Sequence, residues 1–509
     1  MTIQQDGLVI KFTLLCVMLS GLLSCTAIQI PTLPQDAPLQ WNNQHPYDTN
    51  ALAPDLHSWW TFFNDKQLDE LVDKAIDENL TLAQAKSKMR RVRFLLGHAG
   101  DQFLPQLEFS AHSVDSVDTL DSYFQYGLDA SWELGLFGRK NSKARIAKAK
   151  MESTIAEAQA LQVSVIAEVV RTYIELRTGQ QHIKLLEQQL DIVKSQVKLT
   201  ELQIKLGLSS NNELVDVNEK QREIQRQLLI KQQFSSSAVD RLALLLGQKQ
   251  ANKKWLDFSA MPSASNAIFK ILPAEMLRTR PEIKLAEAEV LQAAGELGIA
   301  KSDIYPHISL GATFLYSINI SRNQNLLNAS SSAGIGPVID IPLFDWGYRQ
   351  AMVNAKNSAL NESLLGYKEA VLEAVYESEQ AMSALNLRQT LLKNAQVDEA
   401  LKAQTLERER QRVTLGLSSH QKVNEQRMAL IQSQLNLADE QASQNLAFIA
   451  LYKAFGGAPI ISIENTTNLL QNAKGFEDSH HPENEIQGDH KITLADPQPI
   501  NSPIKAGTP

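Results

Sequence analysis

The chain has 509 residues, with 49 basic side chains against 57 acidic ones, a net charge of -8, 43% hydrophobic and only 6% aromatic residues, and 2 cysteines. At roughly 150 residues per domain this length accommodates up to three compact domains or one elongated architecture, and the mild acidity argues against nucleic acid as the main partner. A disulfide framework is excluded, because one of the two cysteines, Cys16, lies in a leader that export removes.

In chain order, residues 12–24 form an apolar run preceded by Lys11. It is shorter than the ~20 residues of a spanning helix and fits a signal-peptide core, so the first domain is a signal peptide, 1–24. The run ends in Leu22, Leu23, Ser24 and Cys25, which resembles a bacterial lipobox and predicts acylation of Cys25. An ordinary signal peptide ending by chance in a cysteine is the alternative. Acylation would anchor the chain to a leaflet without making it span. Residues 25–57 contain Pro and Asn, lack periodicity and read as an extended lipidated tether.

Proline placement then organises the chain. None falls between Pro105 and Pro262, and none between Pro342 and Pro459. Both gaps are rich in Ala, Gln, Leu, Glu and Lys, which favours very long helices. Residues 139–206 alone predict roughly 100 Å of helix at 1.5 Å per residue. Apolar residues at 3-and-4 spacing, such as Val163, Ile166, Val170 and Tyr173, and later Ile431, Leu435, Ala438, Ala442 and Ile449, predict side-by-side packing of coiled-coil type.

The chain also repeats itself. FLPQL (103–107) corresponds to IYPHI (304–308), and KLGLSS (205–210) to TLGLSS (414–419). ALLLG (243–247) matches YKAFG (452–456), and Leu136-Phe137 in ELGLFGR matches Leu343-Phe344 in DIPLFDWGYR. Two structural repeats follow, 58–260 and 261–461, each reading as short helix, two strands, long helix, tight turn and long returning helix. Beyond them, 462–509 turns polar and proline-containing and reads as a disordered tail. His480, His481 and His490 in that tail are read as solvated, so no metal ligand set is assigned, and no cofactor is expected.

Four runs alternate with period two. Leu107, Phe109 and Ala111 alternate with polar neighbours, and so do Phe124, Tyr126, Leu128, Ala130 and Trp132. The third run spans 308–319, broken only at Leu315, and the fourth is carried by Ile335, Pro337, Ile339, Ile341 and Leu343. A soluble sheet with one wet face accounts for alternation equally well. If these strands span a bilayer, four cannot close a barrel and an open edge cannot sit in lipid, so several copies must share one. Three copies would give a 12-stranded barrel, inside the range that outer-membrane barrels use.

At this point the residues resemble a known family. WWTFFNDKQLDELVDKAIDENLTLAQA (59–85), LRTRPEIKLAEAEVLQAAGELGIAKSDIYPHISLGA (277–312) and the two strand-to-helix joints are similar to the TolC-type outer-membrane efflux family, in its lipoprotein branch serving tripartite resistance-nodulation-division pumps. The resemblance implies a mixed α and β membrane protein: a homotrimer whose long antiparallel helical hairpins form a periplasmic α-barrel and whose strands, four per protomer, share a β-barrel. It further implies a cell outer membrane location with a long periplasmic extension, contact with outer-membrane lipid, a periplasmic adaptor (membrane fusion) protein and an inner-membrane pump.

A duct needs no catalytic group, and the sequence has no GxxxxGK[ST], HExxH or GxSxG motif, so no enzyme is expected. Function is expected at the two helical turns. Leu206, Gly207, Leu208 and Ser209, and Leu415, Gly416, Leu417 and Ser418, combine glycine-mediated reversal with leucines that would offer apolar patches, and the resemblance makes them the adaptor contacts. It also places gate residues at the sixth and ninth positions after each turn glycine: Glu213 and Asp216, and Lys422 and Glu425. Symmetry would turn each into a ring able to bind cations or to hold the tube shut. Lys422 stands where the family often has an aspartate. Either it latches the closed state by contacting Glu213, Asp216 or Glu425, or the gate is weaker than usual. The basic clusters Arg90, Arg91, Arg93 and ERERQR (407–412) read as solvated faces. The main expectation is a passive exit duct of a tripartite efflux pump for small molecules. The alternatives are a duct for ATP-driven protein or peptide secretion and a pore-less coiled-coil scaffold lipoprotein.

Overall fold

The computed structural model describes Leu33 and residues 56–115, 122–264, 280–320 and 329–459. The leader, Cys25, nearly all of the expected tether and the expected tail with its three histidines lie outside them.

A 3-10 turn, Trp59–Phe63, opens the described fold. It is followed by α1 (Lys66–Glu78) and α2 (Leu80–Gly97), where one short helix was expected. The extra boundary is set by capping: Asp65 accepts from the amides of Gln67 and Leu68, and the Asn79 side chain accepts from Thr81 and Leu82. Trp59 stacks on Tyr452 at 5.2 Å, and its Nε1 donates to the Gly457 carbonyl, so the start of the fold is fastened to its end.

Strands β1 (Gln106–Asp115) and β2 (Ser122–Glu133) lead into α3 (Arg139–Lys205), 67 residues long, and α4 (Asn211–Leu245), 35 residues long. The second half supplies α5 (Pro281–Ser302), β3 (His307–Asn319) and β4 (Ala329–Asp340). It ends in α6 (Tyr348–Thr414) and α7 (His420–Ala454), again of 67 and 35 residues. Among the described residues, no helix is long and apolar enough to cross a membrane.

The fourth strand differs from its expectation. It begins at Ala329, within a Ser- and Gly-rich stretch with no apolar alternation to reveal it, and ends at Asp340, leaving Ile341 and Leu343 outside. The joints differ too. Phe137-Gly138 and Trp346-Gly347 share positive φ and directly precede α3 and α6, so Phe137 corresponds to Trp346 and not to Phe344.

The four strands form one antiparallel sheet in the order β1-β2-β3-β4. Besides the two expected hairpins, β2 pairs with β3, strands from opposite halves of the chain. The register puts Phe124 opposite Ile318, Leu128 opposite Phe314 and Trp132 opposite Leu310, so the apolar positions of all four strands share one face.

Helix α3 is the spine of the fold, with α2, α4, α5 and α7 packed around it. Its middle carries the main core, where Val163, Ile166, Val170 and Tyr173 meet Leu68, Leu242, Phe448 and Tyr452. Within that core Arg177 is buried. Its guanidinium donates to Gln180 and Gln67 at 2.7 and 2.6 Å and to the Asp257 carbonyl, while Tyr173 donates to Asp65 at 2.6 Å. Farther along, His182 Nε2 lies 3.0 Å from Asp439 Oδ1 and ties α3 to α7. Burial raises the Asp439 carboxyl, but the His182 bond and charge, helped by Lys231, outweigh it and hold the group below its usual range.

Candidate functional site

Both hairpins turn by the same local rule. The amides of Gly207 and Leu208 donate to the carbonyls of Ile204 and Gln203, and those of Gly416 and Leu417 to Val413 and Arg412. This crossed pair is a Schellman motif, and it requires the positive φ of 73° at Gly207 and 71° at Gly416. The returning helices are capped by Ser210 and Ser419, whose hydroxyls accept from the amides of Glu213 and Lys422. Because this turn ties up the backbone groups, the side chains of Leu206, Leu208, Leu415 and Leu417 are left exposed at the two tips.

The four gate candidates are solvent-exposed but do different things. Glu213 folds back on the tip, where the Ser209 hydroxyl donates to its Oε2 at 2.5 Å. Asp216, one turn on, lines a cleft of about 640 Å3 between α4 and α7, together with Glu219, Lys220, Glu223 and Gln432. Lys422 pairs with Glu425 on its own helix at 2.8 Å, and that contact raises the lysine's affinity for its proton. Of the three contacts considered for Lys422, the structure contains the one to Glu425, made within a single helix. In the same cleft, hydrogen bonds from Arg226 and Gln227 push Glu223 down to about 2, so it stays ionised.

One residue near the tip departs from the solvated face expected of its segment. Glu409, inside the ERERQR run, is buried: it accepts from Ser418 of the turn and lies 3.6 Å from Arg412. No pattern in the run separates it from its solvated neighbours, since it is the chain reversal that brings Ser418 onto it.

At the other end of the long helices, the sheet divides two environments. Leu107, Phe109, Leu128, Phe314, Ile335 and Ile339 are exposed on the apolar face. On the opposite face Ser110 and Thr313 donate to the two oxygens of Asp129, at 3.1 and 2.7 Å. Strands β1 and β4 form the edges and each pairs on one side only. Where the sheet meets the helices, Arg139 bonds Glu133 and Asp303, and Phe137 stacks on Tyr305 at 4.8 Å. Among the described residues, no group of His, Cys, Asp and Glu is arranged to hold a metal ion.

Comparison with known proteins agrees with this geometry. Nodulation protein T of Rhizobium leguminosarum bv. viciae is 25% identical over 495 residues, covering 93% of this chain and 100% of that protein. The solvent efflux pump outer membrane protein SrpC of Pseudomonas putida is 27% identical over 461 residues, covering 87% and 97%. Among solved structures, the outer-membrane channel OprN superposes with a TM-score of 0.73 at 25% identity, over 85% of this chain and 99% of that one. The Campylobacter jejuni CmeC outer membrane channel, at 20% identity and a TM-score of 0.72 over 88% and 98%, shares the fold. The family model for outer membrane efflux proteins matches residues 71–248 and 272–457, one block in each half of the chain, and the chain belongs to that family.

Proposed function

We propose that this chain is the passive outer-membrane exit duct of a tripartite efflux pump, working as a homotrimer and carrying small molecules to the outside. The observation that carries the proposal is the open four-stranded sheet, apolar and exposed on one face and polar on the other, continuous with two pairs of very long helices. Two unpaired edges cannot persist in lipid, where each unmade backbone hydrogen bond is costly. Pairing β4 of one copy with β1 of the next removes them, and three copies close a 12-stranded barrel with lipid outside and water within.

The helices then extend the lumen into the periplasm by roughly 100 Å. Acylated Cys25 would add a second hold on the membrane. The leucine tips are the contacts for a periplasmic adaptor, which connects the duct to an energised inner-membrane pump, and the duct performs no chemistry of its own. Glu213, Asp216, Lys422 and Glu425 ring the constriction at the tips, and opening is a shift of helix pairs biased by the adaptor.

Single-channel conductance in a planar bilayer tests this reading. The extracted protein should give a low, mostly closed conductance, and the variant with all four gate residues changed to alanine a higher one. An unchanged conductance in the variant would remove the gate assignment. No conductance from well-folded oligomers would remove the duct.

A further inference from the structure

The backbones of the two hairpin turns are alike, but the side chain that holds each turn serine is not. In the first hairpin Ser209 donates to Glu213, four residues on, in the first turn of the returning helix α4. Ser418 holds the same place in the second Leu-Gly-Leu-Ser-Ser turn, yet it donates to Glu409, nine residues back, on the outgoing helix α6. The residues at matching positions explain the change of partner. Glu213 is matched by Lys422, while Glu409 and Arg412 are matched by Thr200 and Gln203. A lysine carries three donors and no acceptor, so Lys422 cannot receive the serine hydroxyl. The acceptor has moved across the hairpin, from the returning helix in one half to the outgoing helix in the other.

Glu409 is buried although Glu407, Arg408 and Arg410 around it are exposed. A carboxylate withdrawn from water is costly unless its oxygens are bonded. Both are engaged here: Oε1 accepts from Ser418, and Oε2 lies 3.6 Å from Arg412 Nη1. The equivalent Thr200 is also buried and brings no charge. The charge of Glu409 also reaches across the hairpin to Lys422, where it adds to the stronger hold of Glu425 on the lysine's proton. Lys422 is thus drawn by Glu425 on its own helix, at 2.8 Å, and by Glu409 on α6.

We propose that Glu409 is a positioning residue for the tip of the second hairpin: it fastens the turn to α6 and thereby fixes where Lys422 and Glu425 stand. The inference rests on the duct reading above, in which those two residues belong to the constriction. In the first hairpin the serine bond runs to α4 and not to α3. The two tips are therefore held from opposite sides. Opening by a shift of helix pairs carries the second turn along with α6, and the Ser418–Glu409 bond opposes any swing of Lys422 and Glu425 away from that helix.

Hydrogen exchange and single-channel recording of the full-length, membrane-extracted protein test this together. Glu409→Thr installs the first-half residue, and Ser418→Ala removes the other side of the bond from a half-buried turn position, which guards against misfolding of the first variant. Each should speed exchange of the Gly416 and Leu417 amides about tenfold, the equilibrium weight of a hydrogen bond to a charged group. Each should also raise the open fraction several-fold. The double variant should go no further than either single one, because both act on one bond. Glu409→Gln, whose amide oxygen still accepts from Ser418, should restore the slow exchange and most of the low open fraction.

Faster exchange with an unchanged open fraction would make Glu409 a structural contact only and overturn the proposal, leaving the duct reading standing. Unchanged exchange in both Glu409→Thr and Ser418→Ala would show that the bond does not hold the turn, and would overturn it as well. Well-folded parent oligomers that never conduct would remove the duct reading itself, and with it the constriction that Glu409 serves.

Discussion

Helices α3 and α6 have the same length, end in the same turn and start from the same kind of joint, yet one is clothed and the other is half bare. Val163 and Ile192 of α3 are 4% and 5% exposed, while their equivalents on α6, Leu372 and Leu401, are 66% and 54% exposed. The side chains are equally apolar, so local preference cannot be the cause. Neighbours decide it: α3 has α2, α4, α5 and α7 around it, whereas α6 has chiefly α5 and α7. A long exposed apolar stripe marks an interaction surface, and the comparison teaches that one half of this duplicated fold covers its long helix within the chain while the other leaves its long helix half bare.

The sharpest way to break the comparison is to damage the core around α3. Arg177→Ala removes a buried guanidinium and leaves Gln67 and Gln180 without their partner, at a cost of about 3–5 kcal/mol. The thermal unfolding midpoint should fall by many degrees. Next comes the matched pair Ile192→Ala and Leu401→Ala. The first should cost about 2–5 kcal/mol through the cavity it leaves. The second should leave helix melting of dissociated chains almost unchanged, below about 0.5 kcal/mol, and speed subunit exchange between labelled oligomers. Equal melting losses would erase the distinction between the two helices.

A smaller effect probes the turns that the two hairpins share. Gly207→Ala meets no neighbouring atom within 4 Å, so its whole cost is the left-handed backbone, about 1–2 kcal/mol. Gly416→Ala should match it in hydrogen-exchange protection of the last helical turn, and a large inequality would mean that the two tips are not built alike.

The smallest expected effect is electrostatic. Hydrogen bonds from Lys356 and Gln292 hold Glu296 below the ordinary glutamate value of 4.5, fastening α5 to α6. A depressed carboxylate stabilises the fold above its unfolded value, and that contribution is lost as pH falls through the lower folded value. Because both partners are about one-third exposed, solvent screening keeps it under about 1 kcal/mol. Glu296→Gln should therefore lower the unfolding midpoint slightly near neutrality, with the difference from the parent closing below about pH 4. A difference that grows on acidification would show that the pair does not carry the effect.

Much was legible from the residues alone, for identifiable reasons. The proline-free stretches and the Gly-Leu-Ser-Ser turns mark the long helices and their reversals, because propensity and capping act over a few residues. Three of the strands announce themselves by alternation, and the duplication shows in short matched segments. The Ser- and Gly-rich start of β4 did not, since small residues carry no period. Neither did Glu409, whose burial depends on a serine that only the turn brings near. The four residues proposed for the gate are named by their spacing from the turns, but their different contacts, with Glu213 on its tip, Asp216 in a cleft and Lys422 on Glu425, depend on side-chain geometry.

The sequence by itself determined the long helices, their reversals and their repetition, because each is set by contacts between residues that are neighbours in the chain. Only the tertiary structure decided that β2 joins β3 into a single sheet, that α3 is covered while α6 is half bare, and which apolar positions stay exposed. Those outcomes depend on partners from the opposite half of the molecule, and no local pattern encodes which of two equally apolar helices will find them.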